Sequence, residues 1–226
     1  MPGLPLAASG LRLSYAGETA VELPELAVEP GTLVALVGPS GSGKSSLLYL
    51  LSGLLRPDSG AFFWAGENIA ALGERHRDRW RRRHAGFIFQ SFHLIEELSP
   101  LDNVLVPLWF DRFSAASARQ RALQLLDRLA VPSRRAQVAL LSRGQQQRVA
   151  IARALITDPQ VIFADEPTAS LDAASGEAVI DVLRQLAQED GRTVVAATHD
   201  PAVKSAAHLL VMLDHGHTVS IARSRT

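Results

Sequence analysis

Apolar residues along the chain fall into two kinds of run, which predict strands in two different environments. Residues 33–37, 161–164 and 193–197 are apolar almost throughout. A strand that is covered on both faces has no reason to alternate, so these runs predict buried strands. Residues 11–15 and 21–28 alternate between apolar and polar positions, which is typical of strands nearer a sheet edge.

Helices are predicted between these strands. Residues 44–54, 144–156 and 173–188 are predicted as helices, and from 101 to 130 apolar residues recur at intervals of three and four, as in two amphipathic helices. Shorter strands are predicted at 61–64 and 86–90, with a polar helix between them. Because strands and helices mostly alternate and the strands are buried, we expect an α/β fold with a mostly parallel sheet. The stretch from about 90 to 139 has no buried strand and is predicted as an inserted helical subdomain.

Composition narrows the classes of function. The chain has 226 residues, no cysteine, and 23 basic against 23 acidic residues. The lack of cysteine excludes disulfides, thiolate catalysis and cysteine-ligated metal sites, and the zero net charge leaves no broad basic surface for nucleic acid. No run of 18 apolar residues is present, and the N-terminus lacks a signal-peptide pattern. We therefore expect one large domain in the cytoplasm.

The segment between the buried strand at 33–37 and the following helix matches the phosphate-binding pattern G-x-x-x-x-G-K-[ST] in full. Its glycines allow backbone N–H groups to turn toward phosphate oxygens, and the helix N-terminus adds the positive end of a dipole. We expect Lys44 to reach the β- and γ-phosphates and Ser45 to offer its hydroxyl to Mg²⁺. The predicted ATP-binding residues of this loop are Gly38, Pro39, Ser40, Gly41, Ser42, Gly43, Lys44, Ser45 and Ser46.

Two further strand ends carry polar side chains. Asp165 and Glu166 end one buried strand, and His199 follows another. Parallel sheets bind ligands at the carboxyl ends of their strands, so we expect Asp165 to hold Mg²⁺ opposite Ser45. Glu166 is expected to accept a proton from, or orient, the water that attacks the γ-phosphate, and His199 to contact that phosphate or hold that water. Taken alone, the Asp–Glu pair also fits a solvated turn, and His199 fits a capping residue.

A turn before the helix at 144–156 completes the set of motifs. Read alone, it fits a serine N-cap or a glycine-containing turn that begins a helix. Its sequence is Leu141-Ser142-Arg143-Gly144-Gln145. Together with the preceding motifs, it resembles the Leu-Ser-Gly-Gly-Gln signature of the nucleotide-binding subunits of ATP-binding cassette (ABC) transporters. The resemblance runs from Tyr15 to His199, about four-fifths of the chain.

The resemblance implies a division of the chain and an enzymatic activity. A single ABC ATPase domain would cover residues 1–226, with a P-loop NTPase core. The core and an antiparallel N-terminal β-subdomain would occupy 1–89 and 157–226. The inserted helical subdomain that carries the signature would occupy about 90–156. The implied activity is ATP hydrolysis coupled to transport.

The resemblance also assigns roles to residues outside the phosphate-binding loop. Tyr15 matches the aromatic residue that stacks on adenine, although a core aromatic on an edge strand fits the sequence equally well. Gln90 matches a glutamine that approaches Mg²⁺ and the attacking water and links the ATP site to the membrane partner. Ser142 and Gly144 match residues that bind the γ-phosphate of ATP held by a second chain, and Gln145 is assigned to the same ATP site.

The active form implied by the resemblance contains two chains. They would pack head to tail around two ATP molecules, with residues 170–172 in the loop that crosses the interface. A single chain should then hydrolyse ATP poorly. Arg143 departs from the family pattern, which usually has glycine there. Its side chain either clashes at the phosphate-facing turn, adds a cation to the partner's γ-phosphate site, or points away.

A narrower resemblance lies around and after Gln90. Residues 89–95, Leu98, 101–104 and Pro107 resemble ATPases of lipoprotein-release, macrolide-export and cell-division systems. This resemblance implies a homodimer on the inner face of the cell membrane that drives a separately encoded integral membrane permease. A soluble ATPase of the same fold, such as an iron–sulfur assembly factor, is the alternative.

A basic run at 75–84 contains six arginines and Trp80. It fits a nucleic-acid patch with Trp80 as a stacking platform, or a solvated helix face near anionic lipid headgroups. The zero net charge favours the second interpretation, and we expect no nucleic-acid partner. Residues 102–110 form an apolar stretch that we expect to line a groove for a helix of the membrane subunit.

Overall fold

One sheet organises the fold of this computed structural model, which describes residues 2–109, 115–132 and 137–224. Among these residues the sheet has ten strands, in the spatial order β5-β4-β1-β2-β10-β9-β3-β8-β7-β6. The strands are β1 (Leu6–Tyr15), β2 (Glu18–Val28), β3 (Leu33–Val37), β4 (Ser59–Trp64), β5 (Glu67–Asn68), β6 (Ala85–Ile88), β7 (Val161–Asp165), β8 (Thr193–Thr198), β9 (Leu209–Asp214) and β10 (His217–Arg223).

Helices cover both faces of the parallel part of this sheet. The helices that lie between β6 and β7 in the sequence form a separate layer. They are α1 (Lys44–Leu51), α2 (Glu74–His84), α3 (Pro100–Leu105), α4 (Ala115–Arg128), α5 (Arg143–Leu155), α6 (Ala173–Gln188) and α7 (Pro201–Ala206), with short 3-10 turns at Val106–Leu108 and Val138–Leu140. No helix within the described ranges has both the length and the apolar character needed to cross a bilayer.

The five strands β6, β7, β8, β3 and β9 are neighbours and run parallel. Their side chains alternate between two apolar cores, one on each face of the sheet. In β3, Leu33 and Ala35 face the core built with α5 and α6, whereas Val34 and Leu36 face the core that contains α1. Burial on both faces explains why these strands read as continuous apolar runs. The predicted α/β fold with a mostly parallel core is confirmed.

The other end of the sheet is mainly antiparallel. Strands β2, β1, β4 and β5 pair in succession with antiparallel register. Trp64 at the end of β4 is buried, stacks on Trp80 of α2 with ring centroids 6.0 Å apart, and donates its ring N–H to the Leu51 carbonyl oxygen. These contacts fix the antiparallel layer against α1, the helix that follows the phosphate-binding loop.

The regular elements described between β6 and β7 in the sequence are all helices, as the sequence predicts for this region. Buried Asn103 of α3 fastens the loop that leads into this layer. Its Oδ1 accepts from the Ile95 N–H at 2.8 Å, and its Nδ2 donates to the carbonyl oxygens of Ile95 and Ser99 at 2.9 and 3.2 Å. One side chain therefore satisfies backbone groups of a loop that has no strand or helix of its own.

Several element boundaries differ from the sequence prediction. The helix predicted at 44–54 ends at Leu51, because the N–H groups of Leu54 and Leu55 both turn back to the Tyr49 carbonyl oxygen and Gly53 has a φ of 71°. The strand predicted at 86–90 ends at Ile88. The sequence analysis assigned no element beyond residue 199, whereas the structure has α7, β9 and β10 there.

We expect Asn103→Ala to lower the free energy of unfolding by about 2–4 kcal/mol, because it leaves buried backbone groups of the 95–99 loop without partners. The exposed Gln124→Ala on α4 is the matched control and should change it by no more than about 0.5 kcal/mol. Urea unfolding followed by circular dichroism measures both. Equal effects of the two substitutions would contradict the role given to Asn103.

Candidate functional site

The candidate site lies where four parallel strands end at one edge of the sheet. In the register, Ile88 pairs with Ala164, Asp165 with Ala197, and Val37 with Thr198. Gly38, Glu166 and His199 directly follow β3, β7 and β8, and Gln90 lies two residues beyond the end of β6. Side chains from distant parts of the chain are thus brought to one edge, which is where parallel sheets place ligands.

The phosphate-binding loop connects β3 to α1. The Lys44 ammonium, which is only 7% exposed, folds back over the loop and donates to the carbonyl oxygens of Gly38 and Pro39 at 3.0 and 2.9 Å. Gly43 has a φ of 95° and packs so closely on β2 that a Cβ atom would overlap the Ala20 carbonyl oxygen. Only glycine meets both conditions, so the loop conformation depends on this residue.

Asp165, the last residue of β7, is held by two hydroxyl groups from α1. Ser45 Oγ donates to its Oδ1 at 2.8 Å, and the Tyr49 hydroxyl donates to its Oδ2 at 2.7 Å. Burial raises the pKa of Tyr49, and the bond to the Asp165 carboxylate raises it further. Tyr49 therefore stays protonated and remains a hydrogen-bond donor. Tyr49 was not predicted from the sequence; its position four residues after Ser45, on the same helix face, was the available signal.

The oxygen atoms of Ser45 and Asp165 fit a hard cation such as Mg²⁺, which binds to one or two carboxylates together with substrate phosphates. The described residues contain no cluster of three or more His, Asp or Glu side chains that would hold a metal without such help. The donor set therefore suits a metal that arrives with a phosphate ligand.

Glu166 lies between a lysine and a histidine. Its Oε1 is 3.9 Å from Lys44 Nζ, and its Oε2 is 2.9 Å from His199 Nδ1 and accepts from the His199 backbone N–H at 3.3 Å. Its backbone has a φ of 45°, an unfavourable conformation for a non-glycine residue, held by a bond from its N–H to the Ala197 carbonyl oxygen. This fixed geometry is unlike that of a solvated turn.

His199 is not the cap of the helix that follows it. Asp200 caps α7, because its Oδ1 accepts from the Ala202 N–H at 2.8 Å, and its Oδ2 accepts from the Thr168 hydroxyl at 2.7 Å. The His199 side chain is two-thirds exposed and has Glu166 as its partner. Its ring is therefore placed beside the carboxylate and open to a ligand.

The signature turn begins α5 with a reciprocal cap. Ser142 Oγ accepts from the Gln145 N–H, and Gln145 Oε1 accepts from the Ser142 N–H. A Cβ atom on Gly144 would overlap the Ser175 side chain at the start of α6. The turn is therefore a true N-cap with an exposed serine, and it packs on α6 in the same chain rather than on the phosphate-binding loop.

Gln147 is a second residue that the sequence analysis missed. It is fully buried on α5, and its Nε2 donates at 2.6 Å to the carbonyl oxygen of Pro167, the residue after Glu166. A glutamine in a polar run reads as solvent-exposed, and only its spacing of three and four residues from Ala150 and Ile151 on the same helix face could have indicated burial. The contact joins the signature helix to the strand end that carries Glu166.

Arg143, the first residue of α5, contacts the loop that follows Gln90. Its guanidinium carbon lies 5.8 Å from the centre of the Phe92 ring, a cation–π contact. Phe92 and His93 both have positive φ values, and Arg153 of α5 donates to the carbonyl oxygens of both. Two arginines of α5 thus hold the loop that follows Gln90.

Tyr15 and Gln90 are exposed near the ends of two other strands. Tyr15 ends β1 and is 51% exposed, so it is not a core aromatic. Its hairpin partner Glu18 begins β2, the strand on which Gly43 packs, so the hairpin lies at the same end of the sheet as the loop. Gln90 is exposed, two residues beyond the end of β6.

The basic run forms most of α2. Trp80 is buried and stacks on Trp64, so it cannot act as a stacking platform for a base. Arg77, three residues earlier on the helix, is also buried. Arg75, Arg79 and Arg83 are exposed.

A groove of about 410 Å³ opens between α2, β6, α5 and the 3-10 turn at Val106–Leu108. Its lining includes Arg81, Arg82, Phe87, Phe89, Pro107 and Arg153. Of the stretch 102–110, Phe110 lies outside the described residues.

Comparison with known proteins identifies a family. The profile of the ABC transporter family matches residues 22–169. Over 216 residues the chain is 44% identical to a macrolide export ATP-binding/permease protein MacB of Photorhabdus laumondii, covering 93% of this chain and 33% of that protein. It is also 42% identical to the lipoprotein-releasing system ATP-binding protein LolD of Paramagnetospirillum magneticum, covering 87% of both. The chain thus spans about a third of the MacB relatives.

Solved structures agree with this family. A dimeric ATP-binding cassette, MJ0796, in a post-hydrolysis state bound to ADP and Pi superposes with a TM-score of 0.87 and 35% identity, covering 98% of this chain and 99% of that one. A second dimeric structure of the same cassette gives a TM-score of 0.88.

We expect Arg143→Gln, which removes the charge but keeps a long side chain, to destabilise the fold by about 0.5–1 kcal/mol, the usual size of an exposed cation–π contact. In a Phe92→Leu background the same substitution should have no effect. Urea unfolding of the two single variants and the double variant measures the coupling energy. Additive effects would show that the Arg143–Phe92 contact contributes nothing.

Proposed function

The chain belongs to the ABC transporter family, and from this premise we propose that it is the ATP-binding and ATP-hydrolysing subunit of a transport system of the macrolide-export or lipoprotein-release type. The observation that carries the proposal is the cluster of Lys44, Glu166 and His199 beside the Ser45–Asp165 pair, all at the carboxyl ends of the parallel strands. Relatives named for macrolide export and lipoprotein release support the type of system.

ATP would bind with its phosphates in the loop 38–46. The backbone N–H groups of the loop and the N-terminus of α1 supply the positive end of a helix dipole. Lys44 would exchange its bonds to the Gly38 and Pro39 carbonyl oxygens for phosphate oxygens, at little cost because its ammonium is already positioned over the loop. Tyr15 is exposed at the end of the adjacent hairpin and is assigned to the adenine ring.

Ser45 and Asp165, with Gln90 approaching from the end of β6, are the residues assigned to Mg²⁺. The ion would neutralise charge on the phosphate oxygens. Glu166 is assigned as the group that accepts a proton from the attacking water. Lys44 and His199 flank its carboxylate and limit its orientations, and His199 is open on its other side to the γ-phosphate.

A second copy of the chain would complete the site. Ser142, Gly144 and Gln145 lie at the exposed N-terminus of α5, which suits an anion, but Gly144 packs on Ser175 of its own chain. We assign these residues to ATP held by a second chain, as a head-to-tail homodimer would provide. Residues 170–172 precede α6 beside this turn and are assigned to the dimer interface. The dimeric cassette structures support this arrangement.

The groove between α2, β6 and α5 is assigned to an integral membrane permease. Its walls combine the aromatic rings of Phe87 and Phe89 with Pro107, and Trp109 is exposed nearby in the sequence. The groove borders the loop after Gln90, so a segment seated in it would touch a loop that leads to the ATP site. Exposed arginines on α2 would face anionic headgroups, which supports a peripheral position on the inner face of the membrane and no nucleic-acid partner.

The division into subdomains follows the same assignment. Residues 1–89 and 157–226 would form the ATP-binding core with its antiparallel layer, and about 90–156 the helical subdomain. The relatives described above are named for export and lipoprotein release, and nothing favours the soluble alternative, an iron–sulfur assembly factor.

We expect Glu166→Gln to reduce ATP turnover by about 100-fold or more, as for loss of a general base, while ATP binding is kept. It should also yield an ATP-dependent dimer in size-exclusion chromatography. Lys44→Ala is the comparison, and should lose both ATP binding and dimer formation. An active, monomeric Glu166→Gln chain would show that the role given to Glu166 is wrong.

We expect a tagged Glu166→Gln chain, added with ATP to detergent-solubilised membranes of its source, to recover a polytopic membrane protein. The same chain carrying Phe89→Asp, which places a carboxylate in the groove, is the control and should recover it poorly. Mass spectrometry identifies the recovered proteins. Recovery of soluble proteins alone in repeated trials would contradict the transport assignment.

A further inference from the structure

Helix α1 presents two hydroxyl groups to a single carboxylate. Ser45 and Tyr49 are four residues apart and lie on the same helix face, where they donate to Oδ1 and Oδ2 of Asp165 at 2.8 and 2.7 Å. Both oxygens of the carboxylate are thus held from one side. The remaining lone pairs of both oxygens are left for other ligands.

Tyr49 differs from Ser45 in how firmly it is anchored. Its ring packs against the apolar core on the α1 face of the sheet, and its carbonyl oxygen accepts from the Ser52 hydroxyl and from the N–H groups of Leu54 and Leu55. The Ser45 hydroxyl lies where the phosphate-binding loop meets α1, and it is itself assigned to the metal. Tyr49 is therefore the partner that can hold Asp165 independently of a bound ligand.

We propose that Tyr49 is a positioning residue that fixes the Asp165 carboxylate for the divalent metal that accompanies the nucleotide. The inference rests on the proposed function, since it needs a metal–nucleotide site at Asp165. A hydrogen bond to the second oxygen of a metal-binding carboxylate restricts its rotation, and such outer partners contribute about 10–100-fold to metal affinity. Within the part of the chain that the structure describes, the Tyr49 hydroxyl bonds to Asp165. Its effect on a bound nucleotide would therefore act through this carboxylate.

The test compares Tyr49→Phe with wild type, using the non-hydrolysable analogue AMP-PNP and Mn²⁺ as a spectroscopic probe of the metal site. Tyr49→Phe keeps the ring and its packing and removes only the hydroxyl. We expect Mn²⁺ affinity in the presence of AMP-PNP, measured by electron paramagnetic resonance, to fall about tenfold. AMP-PNP affinity in the presence of a chelator should be unchanged, because that binding does not use Asp165.

Two further variants provide controls. Thr218→Val removes a part-buried hydroxyl on β10 that donates to the Glu22 carbonyl oxygen at 2.9 Å, away from both Tyr49 and Asp165, and should leave Mn²⁺ affinity at the wild-type value. Ser45→Ala removes an assigned metal ligand and should weaken Mn²⁺ binding by at least as much as Tyr49→Phe. Urea unfolding midpoints confirm that all variants are folded under the assay conditions.

The outcomes separate the two proposals. Unchanged Mn²⁺ affinity in Tyr49→Phe would overturn the positioning role, as would an equal loss of AMP-PNP affinity with metal and with chelator, because that pattern belongs to a purely structural residue. If wild type bound no AMP-PNP under either condition, the proposed function itself would fail, and this inference with it. A selective loss of metal-dependent binding supports both.

Discussion

The candidate site depends on the register of the parallel strands β7, β8 and β3. Nearly all residues of these strands are buried, and their backbone N–H and C=O groups can be satisfied only by neighbouring strands. A slip of one residue would exchange the two apolar cores, since alternate side chains face opposite sides of the sheet. The register is therefore strongly fixed, and with it the relative heights of the phosphate-binding loop, Asp165 and His199.

The helical layer is connected to this edge by a few buried polar contacts. Gln147 of α5 donates to the carbonyl oxygen next to Glu166, and Arg153 donates to the loop that follows Gln90. Desolvation lowers the pKa of the Arg153 guanidinium, but its carbonyl partners compensate for the buried charge. A movement of α5 would therefore displace the segments that follow both β6 and β7. Arg143 adds a third contact, through Phe92, where the family pattern has no side chain.

The sequence predicted the parts of the site that are linear motifs and the parts of the fold that are continuous apolar runs. The phosphate-binding loop and the strand ends of Asp165 and His199 were predicted because each motif lies beside a buried strand. Tyr49 and Gln147 were missed because their roles arise from tertiary contacts with residues about 20 to 116 positions away. Strand β10 was missed because it is almost wholly exposed and shows no clear alternation. Strand β9 is a short apolar run, and that run was an available signal.

Glu166 shows how the sheet shapes the chemistry. The strand β7 ends at Asp165 because the Glu166 backbone adopts a left-handed conformation, although the Glu166 N–H still donates to the Ala197 carbonyl oxygen of β8. A residue in an extended conformation would direct its side chain along the alternation of the strand, toward one of the apolar cores. The turn instead directs the carboxylate between Lys44 and His199. The backbone strain is tolerated because the bond to β8 and the buried register of the sheet hold it, so the position of the proposed general base follows from the same constraint that orders the strands.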